Sequence, residues 1–341
     1  MLATVCVAQL NDILNIKSLD FGVEILSVPS GYYDLREGSS IVEHDDQLIY
    51  MSTARSLGTN KYSIHYWTCN YKTNLEEWNY RGVVKLWGAG QVLRQGEDPS
   101  FYFNPTEKRW HLYCEDKSTE ADYRMFLINH YKSYTENIND GFYFLGGSTG
   151  LSPSGNGFMQ DAVYSPDAWK DEHRILFFDG RIGIYREDIG YAEWNGKRWV
   201  PNPTAIFKTS QIPGALTTGL ADRIYELTEK YIMEITVYMG FPPDGYWCQG
   251  LAVSNSLLSG WEVLDSDIQN ENGEHAIFNL FYTQKYGWKA LANTITSDKM
   301  YLADVITGSE PPPPPLPNND IIVEDIRELL YKVDNLLEEI E

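Results

Sequence analysis

A phrase that recurs about every sixty residues limits this chain more than any other feature. Five segments share one form: Glu37-Gly-Ser-Ser-Ile-Val, Asp98-Pro-Ser-Phe-Tyr-Phe, Asp161-Ala-Val-Tyr-Ser-Pro, Asp222-Arg-Ile-Tyr-Glu-Leu and His275-Ala-Ile-Phe-Asn-Leu. Each opens on a polar residue and runs into a short apolar strand. Their first residues are 61, 63, 61 and 53 positions apart. A second strand rich in aromatic or apolar residues follows each one, as in Gln47-Leu-Ile-Tyr-Met-Ser and Arg109-Trp-His-Leu-Tyr-Cys. In three units a third strand is followed by a tryptophan, at Trp78, Trp199 and Trp261. Such a period signals a repeat architecture. Units of three or four strands fit a five-bladed β-propeller better than a solenoid, which has a shorter period. In a propeller the first residue of every inner strand faces one mouth of the central axis.

Composition supports strands and excludes several functions. Aromatic residues make up 14% of the chain, and 27 glycines supply tight turns. Lys and Arg number 27 against 48 Asp and Glu, a formal charge of −21. No basic footprint is present for nucleic acid or anionic lipid, so neither is an expected partner. No apolar run reaches the roughly 18 residues of a membrane span. Met1–Leu10 is apolar but lacks a basic leader and a small-residue cleavage site, so it reads as a strand that closes the fifth blade. The four cysteines, at 6, 69, 114 and 248, lack metal or redox spacing and read as reduced and buried. Cytoplasm and virion are both compatible with these features, and the compartment stays open.

The chain divides near its end. Residues 1–308 read as the propeller and 309–319 as a polyproline II linker around Pro311–Pro317. Residues 320–341 read as a helix. There Ile322, Ile326, Leu329, Val333, Leu336 and Ile340 keep a heptad period, and Val323, Leu330 and Leu337 widen the stripe. This predicts a homo-oligomer, with a trimer favoured over a dimer.

Asp98-Pro99-Ser100, the phrase Ser254–Trp261 and Gly273-Glu274-His275 resemble, in order and register, the five-bladed glycosidases of glycoside hydrolase families 43, 32 and 68. The resemblance covers roughly residues 30–305. It implies three axial carboxylates, which fall at Glu37 as base, Asp98 as modulator and Asp161 as acid. The group usually has Asp in the first place and Glu in the third, so two of the three are exchanged. It also implies an axial histidine, His275, beside a Ca2+ ion or a water, with no cofactor required. Glycoside hydrolysis needs one protonated and one ionised carboxyl, and an inverting enzyme holds them roughly 6.5–9.5 Å apart. Among loops expected on the same face, Tyr33, Trp87, Phe158 and Trp247 are candidate sugar platforms. Arg55, Arg181 and Asp222 are candidate hydroxyl or carboxylate contacts. A carbohydrate is the expected partner. The rival expectation is a multivalent, non-catalytic glycan binder used for attachment or adhesion.

Overall fold

The computed structural model describes residues 12–38, 41–59, 61–116, 128–145, 151, 157–159, 162–169, 175–183, 186–294 and 299–308. Five antiparallel-based sheets form five blades. Their inner strands are Tyr32–Gly38 continued by Val42–His44, Gly96–Asn104, Ala162–Trp169, Ala215–Glu226 and Ala276–Thr283. The second strands are Gln47–Ser56, Arg109–Asp116, Ile175–Ile182, Tyr231–Met239 and Gly287–Thr294. The all-β expectation therefore holds. Residues 1–11 and 309–341 lie outside the described residues, so neither the first ten residues nor the linker and heptad segment is placed.

The ring is closed by a neighbouring segment. The strand Ile16–Ser27 pairs antiparallel with Lys299–Thr307 and forms the outer edge of blade 5. The outer strand of blade 5 is thus supplied by residues 16–27, and the strand expected at residues 1–10 lies outside the described residues.

Period-two alternation explains how the blades cohere. A central strand is buried on both faces, so it is apolar almost throughout. In the second strand of blade 1, Leu48 and Tyr50 pack with Phe281, Leu291 and Met300 of blade 5. Ile49 and Met51 point the other way and pack with Phe101, Trp110 and Leu112 of blade 2. Three further apolar clusters fill the seams between blades 2 and 3, 3 and 4, and 4 and 5. Each seam is a core shared by two sheets, which is why the repeat carries aromatics on successive strands. Among the described residues Cys69, Cys114 and Cys248 form no disulfide and are buried in these cores. No helix among the described residues is long and apolar enough to cross a membrane.

Candidate active site

The inner strands do not run straight. In blade 1 the register moves from Tyr33↔Arg55 to Arg36↔Thr53. In blade 2 it moves from Glu97↔Glu115 to Ser100↔Tyr113, and in blade 3 from Tyr164↔Asp179 to Asp167↔Phe177. Each is the same bulge, with one extra residue on the inner strand. In blade 4 the bulge between Leu220 and Ile224 is wider, and the inner strand of blade 5 pairs without one. Proline is tolerated in a strand at such a bulge because no ladder donor is needed there. Pro99 and Pro166 occupy matching places.

The bulges set the level of the axial residues. Asp34, Asp98 and Ser165 fall at equivalent positions, and Asp222 lies within the wider bulge of blade 4. By this register Asp34, three residues before Glu37, stands level with Asp98. Ser165, four residues after Asp161, stands level in blade 3. Glu37 lies near the end of its strand, Asp161 lies outside the described residues, and the fifth inner strand begins one residue after His275.

Asp98 and Ser165 are both non-glycine residues at positive φ, 49° and 41°. Such backbone strain costs of order 1–3 kcal/mol and persists only where surrounding contacts enforce it. Here they do. The Asp98 N–H donates to Thr53 Oγ1 of blade 1 at 3.2 Å, and Ser165 Oγ donates to Asp98 Oδ2 at 3.1 Å. The Ser165 N–H donates to Glu115 Oε1 of blade 2 at 3.1 Å. One blade on, the Leu220 N–H donates to Asp179 Oδ1 at 2.6 Å, and then the Leu280 N–H to Glu234 Oε1 at 2.7 Å. A polar side chain on the second strand of each of blades 1 to 4 thus holds the inner strand of the next blade.

Burial raises the titration points of several carboxyls near the axis. Burial, reinforced by the charge of Glu187, raises Asp179 well above the usual carboxylate range. Burial pushes Glu234 up to about 8 and Asp167 to about 6. Burial also raises Glu187, although Arg181 counters it with bonds to Glu187 Oε1 at 2.9 and 2.6 Å. Ser165 also hydrogen-bonds Asp179. A hydroxyl has one proton to give. With Asp179 protonated, Asp179 can donate to Ser165 while Ser165 donates to Asp98. The three groups then form a short hydrogen-bonded chain that ends on the strained aspartate.

Below this level the axis is spanned. Arg223 of blade 4 donates from Nη1 to the Ile41 carbonyl of blade 1 at 3.2 Å. Blades 4 and 1 are not neighbours, so this bond crosses the axis. The guanidinium lowers the titration points of the buried Asp167 and Glu234 against the effect of burial. Asp167 itself ties three blades, accepting from Ser100 Oγ at 3.4 Å and from the Ile224 N–H at 2.9 Å.

The other expected site residues separate. Tyr33 and Arg55 are register partners, and the Arg55 guanidinium lies 4.7 Å from the Tyr62 ring centroid. Trp247 is exposed and packs edge-on against Tyr238 at 5.1 Å. Next to it, Tyr246 stacks on His275 at 4.2 Å, and Phe241 is 74% exposed. These aromatics lie on the face where the inner strands begin, because the loop joining second to third strand turns there. Trp87 sits on the outermost strand of blade 2, beside Tyr143. Arg181 is engaged by Glu187. Phe158 is a correction: it is buried, stacks on Phe178, and fills the space left by Gly180 and Gly190. His275 Nδ1 bonds Asp267 at 2.8 Å. Among the described residues it joins no group of three ligating side chains; the one such group is His44, Asp45 and Glu136. His275 and Asp267 are placed to help hold the expected ion or water, and no step is assigned to one.

No family model and no curated protein sequence matches the chain. Solved structures do. An endo-arabinase from Bacteroides thetaiotaomicron is 20% identical, with a TM-score of 0.56 over 85% of this chain and 99% of that one. The catalytic domain of a family 62 α-L-arabinofuranosidase from Coprinopsis cinerea is 11% identical, with a TM-score of 0.54 over 85% and 96%. A family 117 glycoside hydrolase from the marine bacterium Zobellia galactanivorans is 11% identical, with a TM-score of 0.55 over 88% and 94%. The chain has the five-bladed propeller fold of these glycoside hydrolases. At such identities the likeness speaks for fold, and function must be argued from the site.

Proposed function

We propose that the protein is a glycoside hydrolase that cleaves an oligosaccharide or polysaccharide with axial carboxylates, by inversion. The observation that carries this reading is the strained bulge at Asp98, held by Thr53 on one side and Ser165 on the other. Backbone strain imposed on a partly buried acid at the axis is a feature expected of a working site rather than of a structural repeat. Glu37, or Asp34 at the register of Asp98, is the proposed base that activates water. Asp161, or the proton-holding Asp179 acting through Ser165, is the proposed source of the proton for the leaving oxygen. Asp98 tunes the pair or holds a sugar hydroxyl. Tyr33, Arg55, Asp222 and Trp247 are the proposed sugar contacts, and His275 with an axial water completes the mouth. Residues 320–341 are proposed to join copies of the chain, three rather than two.

One observation favours the second reading, a non-catalytic multivalent glycan binder. Blade 3 presents Ser165, not an acid, at the level of Asp98. The names of the structural neighbours suggest where to begin: arabinose-containing glycans, followed by a wider panel. The test measures both reducing-end release and binding on that panel with the intact protein. Hydrolysis supports the enzyme. Binding without hydrolysis replaces it with the binder, and neither result would leave the axial site without a role in sugar chemistry.

A further inference from the structure

A cavity of about 490 Å³ opens at the seam of blades 1 and 2, with the axial Asp98 absent from its lining. Among the described residues its lining includes Arg81, Lys85 and Arg94 and no acidic side chain. In a chain with 48 acids and 27 Lys and Arg, three cations lining one cavity run against the composition. Arg81 Nε donates to Thr68 Oγ1 at 2.9 Å, which orients the guanidinium. Arg94 lies over the Phe144 ring at 4.9 Å and closes onto Gly88, where a Cβ would collide with its Nε. Among the described residues, neither Arg81 nor Lys85 makes an ion pair. The same wall carries Val83 and Leu93, both exposed.

We infer that this cavity is a second ligand site, for a saccharide of one or two rings that bears a carboxylate or sulfate group. The cations select the anion, since a guanidinium fork matches carboxylate and sulfate oxygens. The size and the exposed apolar side chains of Val83 and Leu93 select an organic ligand over a bare ion. A volume near 490 Å³ falls within the range of small-molecule sites. The inference does not rest on hydrolysis at the axis. It provides a way for a strongly acidic protein to hold an acidic glycan, which its overall charge would otherwise repel.

The test uses calorimetry on the full chain with glucuronic acid, glucose 6-sulfate, glucose and inorganic sulfate, at low and moderate salt. The wild type should bind one or both acidic sugars at least about tenfold more tightly than glucose, and salt should weaken that binding. Inorganic sulfate should bind more weakly than the acidic sugars. The double variant Arg81→Gln/Lys85→Gln should lose at least about tenfold, while Asp98→Asn binds as the wild type does. Equal affinity for glucose, undiminished binding by the double variant, sulfate binding as tightly as the sugars, or no binding of either acidic sugar would each overturn the inference. If Asp98→Asn abolished binding, the ligand would be in the axial site instead, which also overturns it. Near-ultraviolet circular dichroism checks that the double variant is folded.

Discussion

Replacing Asp167 with asparagine should stabilise the protein above pH 6. Asp167 is 3% exposed and joins blades 2, 3 and 4 at the axis. Loss of such a tie would ordinarily be expected to destabilise. Burial, however, raises its titration point from 3.8 to about 6, even with Arg223 and two hydrogen bonds opposing the shift. The folded state therefore holds the proton more tightly than the unfolded state. Between pH 4 and 6 the unfolded chain has released a proton that the native chain keeps, so stability falls as pH rises through that window. The displacement of about two pH units amounts to about 3 kcal/mol, fully lost above pH 6. Asparagine keeps an oxygen for the Ile224 N–H and offers an amide to Ser100, without a charge. The variant should match the wild type near pH 4 and exceed it by about 1–3 kcal/mol at pH 7.5, with a flatter slope between. Thermal unfolding of both proteins at matched scan rates from pH 4 to 8 measures this. A variant that melts lower at pH 7.5 and keeps the wild-type slope would show that the ionised Asp167–Arg223 pair stabilises the axis, and would refute the reasoning.

Three further outcomes follow from the packing and the sequence. Gly190→Ala should destabilise by about 1–3 kcal/mol, because its Cβ would overlap the Phe158 ring inside a filled core; thermal melts test this. Cys69 and Cys248, both buried and with thiols pushed up to about 12 by burial, should resist iodoacetamide at pH 8 until the protein is unfolded, as read by peptide mass mapping. Deleting residues 311–341 should convert an oligomer into a monomeric propeller by light scattering; a monomeric full-length chain at micromolar concentration would remove the proposed role of the heptad.

The blades were readable because each repeats a strand buried on both faces, which leaves a local apolar and aromatic signature. The axial register was less so. Aligning the repeats on their acids selected Glu37 and Asp161. Aligning them on the strand prolines, Pro99 with Pro166, would have brought Ser165 level with Asp98, since proline marks the bulge. The buried acids were hidden for another reason. Glu115 serves Ser165, 50 residues away, and Asp179 serves Leu220, 41 residues away. No pattern within one repeat shows that a neighbouring blade supplies the donor. Phe158 read as a loop platform because the gap it fills is made by Gly180 and Gly190, on strands that meet it only in the fold.

The most direct test of the axial site is the turnover of Asp98→Asn relative to the wild type, on whichever glycan the wild type cleaves. The account predicts a loss of at least about 10²-fold, with the melting temperature and near-ultraviolet spectrum retained. Turnover within about twofold of the wild type would contradict it and place the chemistry away from the strained bulge.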